Sequence, residues 1–252
     1  MRRILFWYLP IFTGLAAVCV FAYGFVSYLA GDRGDPVDFL PTRTVAAPKP
    51  RDLVTPVILG DSLARGAGDE RGFGIAGRLD AELRRRGIRA RRTYNLGVNG
   101  ARTNDLLRQL ESENVRRILA ESNVIVVSIG GNDLWGGTEW RNVSTSEAGT
   151  RMNDVMGRIG EIVQRIRTAN PRARIFFIGL YNPFVSSPEG KLLNGLVNRW
   201  NARLLQEFGS DSDFTLVATS DLFSHRDRLS VDRFHPGGEG YELIARRIAE
   251  GV

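Results

Sequence analysis

The chain has 252 residues, 43% hydrophobic and 25% charged, which is enough for a globular domain with its own core plus a further segment. Its single cysteine, Cys19, excludes a fold held together by internal disulfides. The net charge of +6 comes almost entirely from arginine, and the densest arginine cluster, residues 84–92, has no interleaved aromatic residues. We therefore expect a solvated surface or attraction to anionic lipid there, and no nucleic-acid partner.

The amino-terminal segment is apolar. Arg2 and Arg3 precede a run of 27 residues without charge, Ile4–Ala30. As a helix this run would extend roughly 40 Å, enough to cross a bilayer, whereas the core of a secretory signal is only about 7–15 residues long. We predict a single transmembrane anchor over residues 1–30, with the rest of the chain on the outer face of the cytoplasmic membrane because the two arginines stay inside. The alternative is a cleaved signal peptide and secretion, although no clear small-x-small cleavage site closes the run.

The rest of the chain divides into a linker and a domain. Residues 31–53 contain four prolines among small and charged residues, which predicts an extended linker. From residue 54 to residue 252, strand-like runs alternate with helical patterns, which predicts a parallel sheet covered by helices on both sides. The strand-like runs are Pro56–Leu59, Ala90–Asn95, Val124–Ile129, Arg174–Leu180 and Phe214–Thr219. The helical patterns are Ile75–Arg86, Thr103–Leu110 with Val115–Leu119, Met152–Arg167, Leu192–Phe208 and Tyr241–Ala249.

Polar or glycine-rich clusters follow these strand-like runs. They are Gly60-Asp61-Ser62-Leu63 after the first run, 95–101 after the second, 130–133 after the third and 232–236 after the fifth. Ligands in open α/β sheets bind beyond the carboxyl ends of the strands, so these clusters are expected to meet at one rim. Each also has an ordinary explanation, as a turn at Asp61-Ser62, a helix cap at Asn132-Asp133 or a surface turn at Asp232–His235.

In this order and spacing, the clusters resemble the sequence blocks of the SGNH (GDSL-type) hydrolases. The matching residues are Gly60-Asp61-Ser62-Leu63, the glycine loop 97–100, Gly130-Gly131-Asn132-Asp133 and Asp232-x-x-His235-Pro236. The resemblance covers residues 54–249 and is closest to the bacterial lysophospholipase-like esterases, whose pattern also continues through residues 64–69 and Leu134. It implies a three-layer α/β/α, flavodoxin-like fold with five parallel strands in the order 2-1-3-4-5, preceded here by the amino-terminal transmembrane helix.

The resemblance also implies a serine esterase that works through an acyl-enzyme. A serine hydroxyl needs an adjacent base to become a good nucleophile, and His235 would take the proton of Ser62. Asp232 would accept a hydrogen bond from the other ring nitrogen and fix the tautomer of the imidazole. This chemistry requires no metal ion and no other cofactor.

An oxyanion hole completes the implied site. The family pattern assigns three donors, which are the backbone N–H groups of Ser62 and Gly100 and the side-chain amide of Asn132. Glycine at position 100 would let the backbone approach the substrate closely. Gly97 is the competing candidate for the glycine donor.

The sequence constrains the substrate least. Trp135, Trp140, Tyr181 and Phe184 lie in rim loops and are candidates to line an acyl-binding groove, and equally candidates to pack onto the domain. With a membrane anchor nearby, we expect a monomeric lysophospholipase or carboxylesterase (lipase type) that acts on a small-molecule or lipid ester. The alternatives are an O-acetyl esterase of cell-envelope polysaccharide and an anchored binding module without activity. The complete set of catalytic residues argues against the binding module.

Overall fold

The amino-terminal unit is helical. The computed structural model describes residues 2–29, 53–135, 145–185, 190–224 and 226–252, and contacts within the chain divide it into units 1–46 and 47–252. In the first unit, helix α1 (Arg2–Leu29) forms over the predicted apolar run. Among the described residues, however, no helix has the length and apolar character needed to cross a membrane, so the predicted transmembrane helix is not supported. Nearly all of the predicted linker, 31–53, lies outside the described residues.

A parallel sheet forms the centre of the second unit. Its strands are β1 (Leu53–Val54), β2 (Pro56–Gly60), β3 (Arg89–Ala90), β4 (Tyr94–Asn95), β5 (Val124–Ser128), β6 (Arg174–Ile178) and β7 (Phe214–Val217). Five of them form the main sheet in the order β4-β2-β5-β6-β7, and every neighbouring pair is parallel. Numbered along the chain, this is the predicted order 2-1-3-4-5.

Helices cover both faces of this sheet. They are α2 (Ser62–Arg65), α3 (Gly74–Arg85), α4 (Thr103–Glu111), α5 (Glu113–Glu121), α6 (Gly131–Trp135), α7 (Thr145–Ala169), α8 (Gly190–Phe208) and α9 (Gly238–Glu250). One apolar cluster joins the sheet to α4, α5, α7 and α8, and a second cluster joins the opposite face to α3 and α9. The predicted three layers are therefore confirmed, while the short helix α6 was not predicted.

Strand β5 shows why the sheet is central. All five of its residues are buried. Ile125 and Val127 belong to the first apolar cluster, whereas Val124 and Val126 belong to the second. Because successive side chains of a strand point to opposite faces, an uninterrupted apolar run is what a strand with two covered faces requires. Each of these side chains contributes about 1.5–3 kcal/mol of hydrophobic stabilisation.

The predicted strand 90–95 is divided in the structure. Arg89–Ala90 pairs with Leu53–Val54 in a separate two-stranded sheet, and only Tyr94–Asn95 joins the main sheet beside β2. The two arginines between these strands are exposed, and the Arg92 guanidinium lies 4.9 Å from the centre of the Tyr94 ring. Charged side chains resist burial between two helix layers, so the chain joins the main sheet only after these arginines, at the edge beside β2.

Gly60 positions the functional rim. It ends β2 with φ +128°, and a Cβ built on it would lie 1.8 Å from the carbonyl oxygen of Ser128 on the neighbouring strand. Only glycine combines this backbone angle with this close approach. Gly60 therefore lets the chain turn sharply beside β5, so that the next residues emerge at the carboxyl edge of the sheet.

Candidate active site

Ser62 is presented by a tight turn at the end of β2. Asp61 caps α2, its side chain accepting a hydrogen bond from the Leu63 N–H at 3.0 Å. The Asp61 N–H donates to the Ser128 carbonyl at 2.9 Å, and the Ser128 hydroxyl donates to the Asp61 carboxylate at 3.1 Å. The helix ends after one turn at Gly66, which has a left-handed backbone. These bonds fix Ser62 at the mouth of the turn, where its side chain is only partly buried.

Three predicted residues form a continuous chain of hydrogen bonds. Nε2 of His235 lies 2.8 Å from Oγ of Ser62, although the two residues are 173 positions apart. Nδ1 of His235 lies 2.6 Å from Oδ2 of Asp232. With the proton on Nδ1, the imidazole donates to the carboxylate and its Nε2 accepts from the serine hydroxyl. This is the arrangement in which a serine can be activated by a neutral imidazole.

Asp232 is held as a carboxylate. Partial burial would raise its pKa, but hydrogen bonds from the Ser230 hydroxyl, the His235 ring and the N–H groups of Phe234 and His235 outweigh burial and lower the pKa to about 2. Oδ1 accepts the bonds from Ser230 and the two N–H groups at 2.6, 2.9 and 2.9 Å, which leaves Oδ2 for the imidazole. The two carboxylate oxygens therefore have separate roles, because one holds the turn and the other orients His235.

Neighbouring loops hold the histidine turn in place. The Ser230 N–H donates to the His235 carbonyl at 2.8 Å, and the Tyr181 hydroxyl donates to the Phe234 carbonyl at 2.7 Å. A Cβ on Gly68 would lie 2.7 Å from Cβ of His235, so the loop after α2 packs directly against this histidine. The position of His235 is thus fixed by contacts with the Ser62 loop, by a hydrogen bond from the residue range that follows β6 and by hydrogen bonds within its own turn.

The predicted oxyanion donors are only partly brought together. Ser62 and Asn132 line the same cleft as His235, whereas Gly100 is not among the residues that line it. The Asn132 amide donates one N–H to the Ala101 carbonyl at 3.0 Å, which leaves its second N–H for another acceptor. Gly100 is exposed with φ +76°, a backbone conformation that favours glycine.

Gly97 has a different role from Gly100. Its N–H donates to the Asn95 side chain at 3.0 Å, and a Cβ on Gly97 would lie 2.4 Å from the backbone nitrogen of Arg65. Gly97 therefore lets its loop pack against α2, and its N–H group is already occupied. This leaves Gly100 as the better candidate of the two glycines for an oxyanion donor.

Asp133 joins the two loops that carry Gly100 and Asn132. Its carboxylate accepts hydrogen bonds from the N–H and the hydroxyl of Thr103, at 2.9 and 2.6 Å, at the start of α4. Arg158 donates to the same Thr103 hydroxyl at 2.7 Å and lies 3.4 Å from the Asp133 carboxylate. Asp133 thus caps a helix distant in sequence, while the neighbouring Asn132 is directed to the cleft.

The cleft beside Ser62 has a largely apolar wall. The loop after β6 was a predicted candidate for this wall, whereas the contribution of Ile129, Ile178 and Leu180 was missed, because no motif marks these strand ends. The apolar lining residues are Leu63, Ile129, Ile178, Leu180, Tyr181, Pro183 and Phe234. Such a wall fits an acyl group better than a polar one.

The four predicted substrate-binding aromatics have different outcomes. Tyr181 lines the cleft but is buried, and its ring packs 4.1 Å from that of Phe223, so it supports the wall and the histidine turn. Phe184 is partly buried with its ring 6.0 Å from that of Phe234, and it is not among the residues lining the cleft. Trp135 ends α6, but its side chain and the whole of Trp140 lie outside the described part of the chain. Among the described residues, no group of three or more His, Cys, Asp or Glu side chains is placed to hold a metal ion.

The buried position of Asp61 makes the stability of the domain depend on pH. Burial raises the pKa of Asp61 from 3.8 to about 6, although hydrogen bonds from Ser128, Leu63 and Ala64 and the nearby His235 act in the opposite direction. A carboxyl whose pKa is higher in the folded chain than in the unfolded chain stabilises the fold when it is protonated. Its contribution is therefore fully present below about pH 4 and is lost as the pH rises to about 6.

We expect Asp61→Asn, which cannot ionise, to remove this pH dependence. Relative to the parent, the free energy of unfolding of the variant should rise by up to about 3 kcal/mol between about pH 4 and pH 7. Denaturant unfolding at a series of pH values measures the difference. Asp227→Asn, at an exposed position, is the matched control and should follow the parent. A constant difference between Asp61→Asn and the parent across this range would contradict the prediction.

Comparison with known proteins places this site in a family. A model of the GDSL-like Lipase/Acylhydrolase family matches residues 58–243. The chain is similar to the uncharacterized protein YpmR of Bacillus subtilis, with 29% identity over 212 residues that cover 81% of this chain and 83% of YpmR. It is also similar to the spore germination lipase LipC of Bacillus licheniformis, with 25% identity over 158 residues that cover 60% of this chain and 73% of LipC.

A solved structure has the same fold. The lipase Lip_vut3 from a goat rumen metagenome superposes with a TM-score of 0.68 at 22% sequence identity, covering 77% of this chain and 95% of that one. The family match itself extends from within β2 to within α9, and so contains Ser62, Asn132, Asp232 and His235. The protein therefore belongs to the GDSL-like lipase/acylhydrolase family, whose members are ester-hydrolysing enzymes.

Proposed function

We propose that the protein hydrolyses carboxylic esters through an acyl-enzyme formed on Ser62. The observation that carries this proposal is the hydrogen-bond chain from Ser62 through His235 to Asp232, with bonds of 2.8 and 2.6 Å. Ser62 and His235 line a cleft that has an apolar wall, and such a wall suits the acyl group of an ester substrate.

In the first half-reaction, Oγ of Ser62 attacks the ester carbonyl carbon while Nε2 of His235 takes the hydroxyl proton. The Asp232 carboxylate stabilises the imidazolium that forms and keeps Nδ1 protonated. When the tetrahedral intermediate collapses, the bond to the alcohol oxygen breaks. The same proton then passes from Nε2 to the leaving alkoxide, and the acyl group remains on Ser62.

In the second half-reaction, water takes the place of the alcohol. Nε2 of His235 removes a proton from the water as it attacks the acyl carbon, and the bond to Oγ then breaks. The proton returns from Nε2 to Oγ, and the carboxylic acid product leaves. His235 thus acts as base and then as acid in each half-reaction, without movement of the turn that carries it.

Asn132 and Gly100 are assigned to the oxyanion in this scheme. The free N–H of the Asn132 amide and the backbone N–H groups of Ser62 and Gly100 would donate to the oxygen that becomes negative. We expect Asn132→Ala to lower kcat by roughly 10²–10³ with less effect on KM, because the amide acts mainly on the charge that develops in the transition state. Steady-state kinetics with a p-nitrophenyl ester measures both constants. An Asn132→Ala enzyme with a raised KM and unchanged kcat would remove Asn132 from this role.

For the substrate, we propose an acyl ester of the lysophospholipid or carboxylester type, as in the lysophospholipase-like branch. The apolar residues at the end of β6 and Phe234 support this proposal, because they offer an acyl chain a dry surface next to Ser62. The similarity to LipC, which is named as a lipase, points in the same direction.

A substrate panel tests this assignment. The full-length protein would be assayed with lysophospholipids, p-nitrophenyl esters of graded acyl length and acetylated glycans, with Ser62→Ala as the blank. We expect the highest kcat/KM for lysophospholipids or longer acyl esters. Preferential release of acetate from the glycans would instead identify an O-acetyl esterase.

We also propose an extracytoplasmic location. The support is the uncharged run 4–30 that follows Arg2 and Arg3, a pattern typical of export. Cell fractionation and sequencing of the mature amino terminus distinguish an attached protein from one released after cleavage near residue 31. Recovery of the intact chain in the cytoplasm would contradict the proposal.

A further inference from the structure

The turn between Asp232 and His235 contains an arginine in an unusual backbone conformation. Arg233 has φ +56°, and among the described residues it is the one residue other than glycine with a positive φ. In this region glycine and asparagine are accommodated with less strain than arginine. Strained residues of this kind cluster at functional sites, so a function of the arginine side chain would explain why arginine is found at this position.

Hydrogen bonds on both sides fix the backbone of Arg233 relative to the catalytic residues. Its N–H donates to the Ser230 carbonyl at 2.9 Å. The next two N–H groups, of Phe234 and His235, both donate to the Asp232 carboxylate at 2.9 Å. The left-handed conformation is therefore imposed by the turn that aligns Asp232 with His235, and this turn fixes the point of the backbone from which the Arg233 side chain extends.

The charge of Arg233 is also uncompensated. Its side chain is exposed, and it forms no ion pair with any residue in the described ranges. Some arginines of the domain are paired, as Arg78 is with Asp69 and Arg247 with Asp221, whereas others on the surface are, like Arg233, without an ion pair among the described residues. The neighbouring Asp232 forms no ion pair with Arg233, and its two oxygens accept hydrogen bonds from the turn and from His235.

Two further rim loops carry exposed arginines without ion pairs among the described residues. Arg65 ends α2, and its backbone is in direct contact with the loop that contains Gly97. Arg102 follows Ala101, whose carbonyl accepts the Asn132 amide. Among the nearby acids, Asp61 is buried, Asp69 is paired with Arg78, and both oxygens of Asp232 accept hydrogen bonds. Three of the loops that carry proposed catalytic groups therefore present a positive charge to solvent, which favours an anionic ligand.

The cleft restricts where an anionic group of the substrate could lie. The wall formed by β6, its following loop and Phe234 is apolar, and burying a charge against it would be unfavourable. This wall suits the acyl chain, which leaves the alcohol portion of the ester for the exposed, arginine-bearing side of the rim. Arginine is well suited to carboxylate and phosphate groups because its planar fork can donate two hydrogen bonds.

We propose that the preferred substrate is an ester whose alcohol portion carries a phosphate or carboxylate group, and that Arg233 binds this group. The inference rests on the proposed ester hydrolysis at Ser62, and it specifies in addition that the leaving alcohol carries a negative charge. Arg65 and Arg102 contribute positive potential at the same rim, whereas Arg233 determines specificity because its backbone is part of the turn between Asp232 and His235.

The test compares acyl-matched pairs of monomeric substrates. One pair is 4-(butyryloxy)benzoate and its neutral methyl ester, and the other is butyrylglycerol phosphate and neutral butyrylglycerol. The two pairs distinguish a carboxylate from a phosphate ligand. The short acyl chains keep the substrates monomeric, so adsorption to micelles cannot produce a false preference. Each variant is compared with the parent on the same substrate, so differences in intrinsic reactivity between substrates cancel.

Arg233→Gly is the informative variant because glycine suits the left-handed backbone. We expect its kcat/KM to fall about fivefold to tenfold for the anionic member of at least one pair and to stay within about twofold for the neutral members. The fall should shrink in about 0.5 M salt, and Arg233→Lys should retain most of the parent activity. Arg117→Gln on α5, which precedes the opposite edge of the sheet, is the charge-matched control and should behave as the parent. The midpoint of thermal unfolding of Arg233→Gly should be unchanged or higher.

Two results would overturn the proposal while ester hydrolysis stands. An equal loss on anionic and neutral substrates would mean that Arg233 shapes the triad turn without binding the anion. No loss on either anionic substrate would mean that the guanidinium does not contact the substrate. Absence of turnover by the parent of these four esters and also of the lysophospholipids and longer acyl esters of the panel would instead refute the proposed hydrolysis, and the charge preference with it.

Discussion

Replacing Ser62 with alanine is expected to abolish ester hydrolysis, lowering kcat/KM by roughly 10⁴-fold or more. The hydroxyl is the only group in the hydrogen-bond chain that can form the acyl-enzyme, and removing it leaves His235 with no nucleophile to activate. The protein should still fold, because the Ser62 side chain is only partly buried and its hydroxyl contacts the histidine at the mouth of the cleft. We expect the free energy of unfolding to change by less than about 1 kcal/mol.

The control for this variant is a serine of similar size outside the cleft. Ser224 donates a hydrogen bond to the Asp221 carbonyl at 3.0 Å in an exposed turn, and Ser224→Ala should keep the parent activity. Both variants are measured for kcat/KM and for thermal unfolding. If Ser62→Ala retained more than about a tenth of the parent activity, Ser62 could not be the nucleophile.

Replacing Asp232 with asparagine is expected to lower kcat by roughly 10³–10⁴, a smaller loss than that of Ser62→Ala. An amide has one oxygen, whereas Asp232 uses two. If the asparagine oxygen accepts from Nδ1 of His235, the bonds now made by Ser230 and the two N–H groups lose their acceptor. If the asparagine oxygen instead accepts the hydrogen bonds from Ser230 and the two N–H groups, its NH₂ group faces Nδ1 of His235 and favours the wrong tautomer of the imidazole.

The low pKa of Asp232 also predicts how the activity of Asp232→Asn depends on pH. Because hydrogen bonds lower that pKa to about 2 despite partial burial, the carboxylate is ionised throughout the range in which the enzyme would be assayed. The loss in Asp232→Asn should therefore persist across neutral pH, and raising the pH should not restore the activity. Asp227→Asn, an exposed acid in the same region, should have the parent kcat. A decrease of less than tenfold in Asp232→Asn would show that the carboxylate is not needed to orient His235.

The strands and the proximity of Ser62, Asp232 and His235 could be predicted from local signals, whereas the strand order was implied by the family resemblance that these signals carry. Apolar runs such as Val124–Ile129 mark strands with two covered faces, and Ser62 and His235 lie in motifs just beyond the strands. Parallel strands bring their carboxyl ends to one edge, so the topology alone brought these residues within reach of each other. The division of the predicted strand at 91–93 was missed, because the pattern of apolar residues does not show where two arginines turn the chain out of a sheet.

Other parts of the site depend on contacts that a sequence does not reveal. Gly97 and Gly100 are equivalent as residue types, and only the approach of Gly97 to the α2 backbone separates their roles. Tyr181 was predicted equally to line the groove or to pack onto the domain, and it does both, because it lines the cleft while its hydroxyl donates to the Phe234 carbonyl across 53 positions of the chain. The apolar wall contributed by β6 carries no motif, because any apolar residues of suitable size would form it.

Labelling with a fluorophosphonate probe, followed by peptide mapping, tests the central claim most directly. Such probes react with a serine that is activated by a neighbouring base, without any assumption about the acyl chain or the alcohol. We expect one adduct per chain, on Ser62, absent from Ser62→Ala and strongly reduced in His235→Ala. An adduct on another residue, or labelling that persists in Ser62→Ala, would contradict the assignment of Ser62 as the nucleophile.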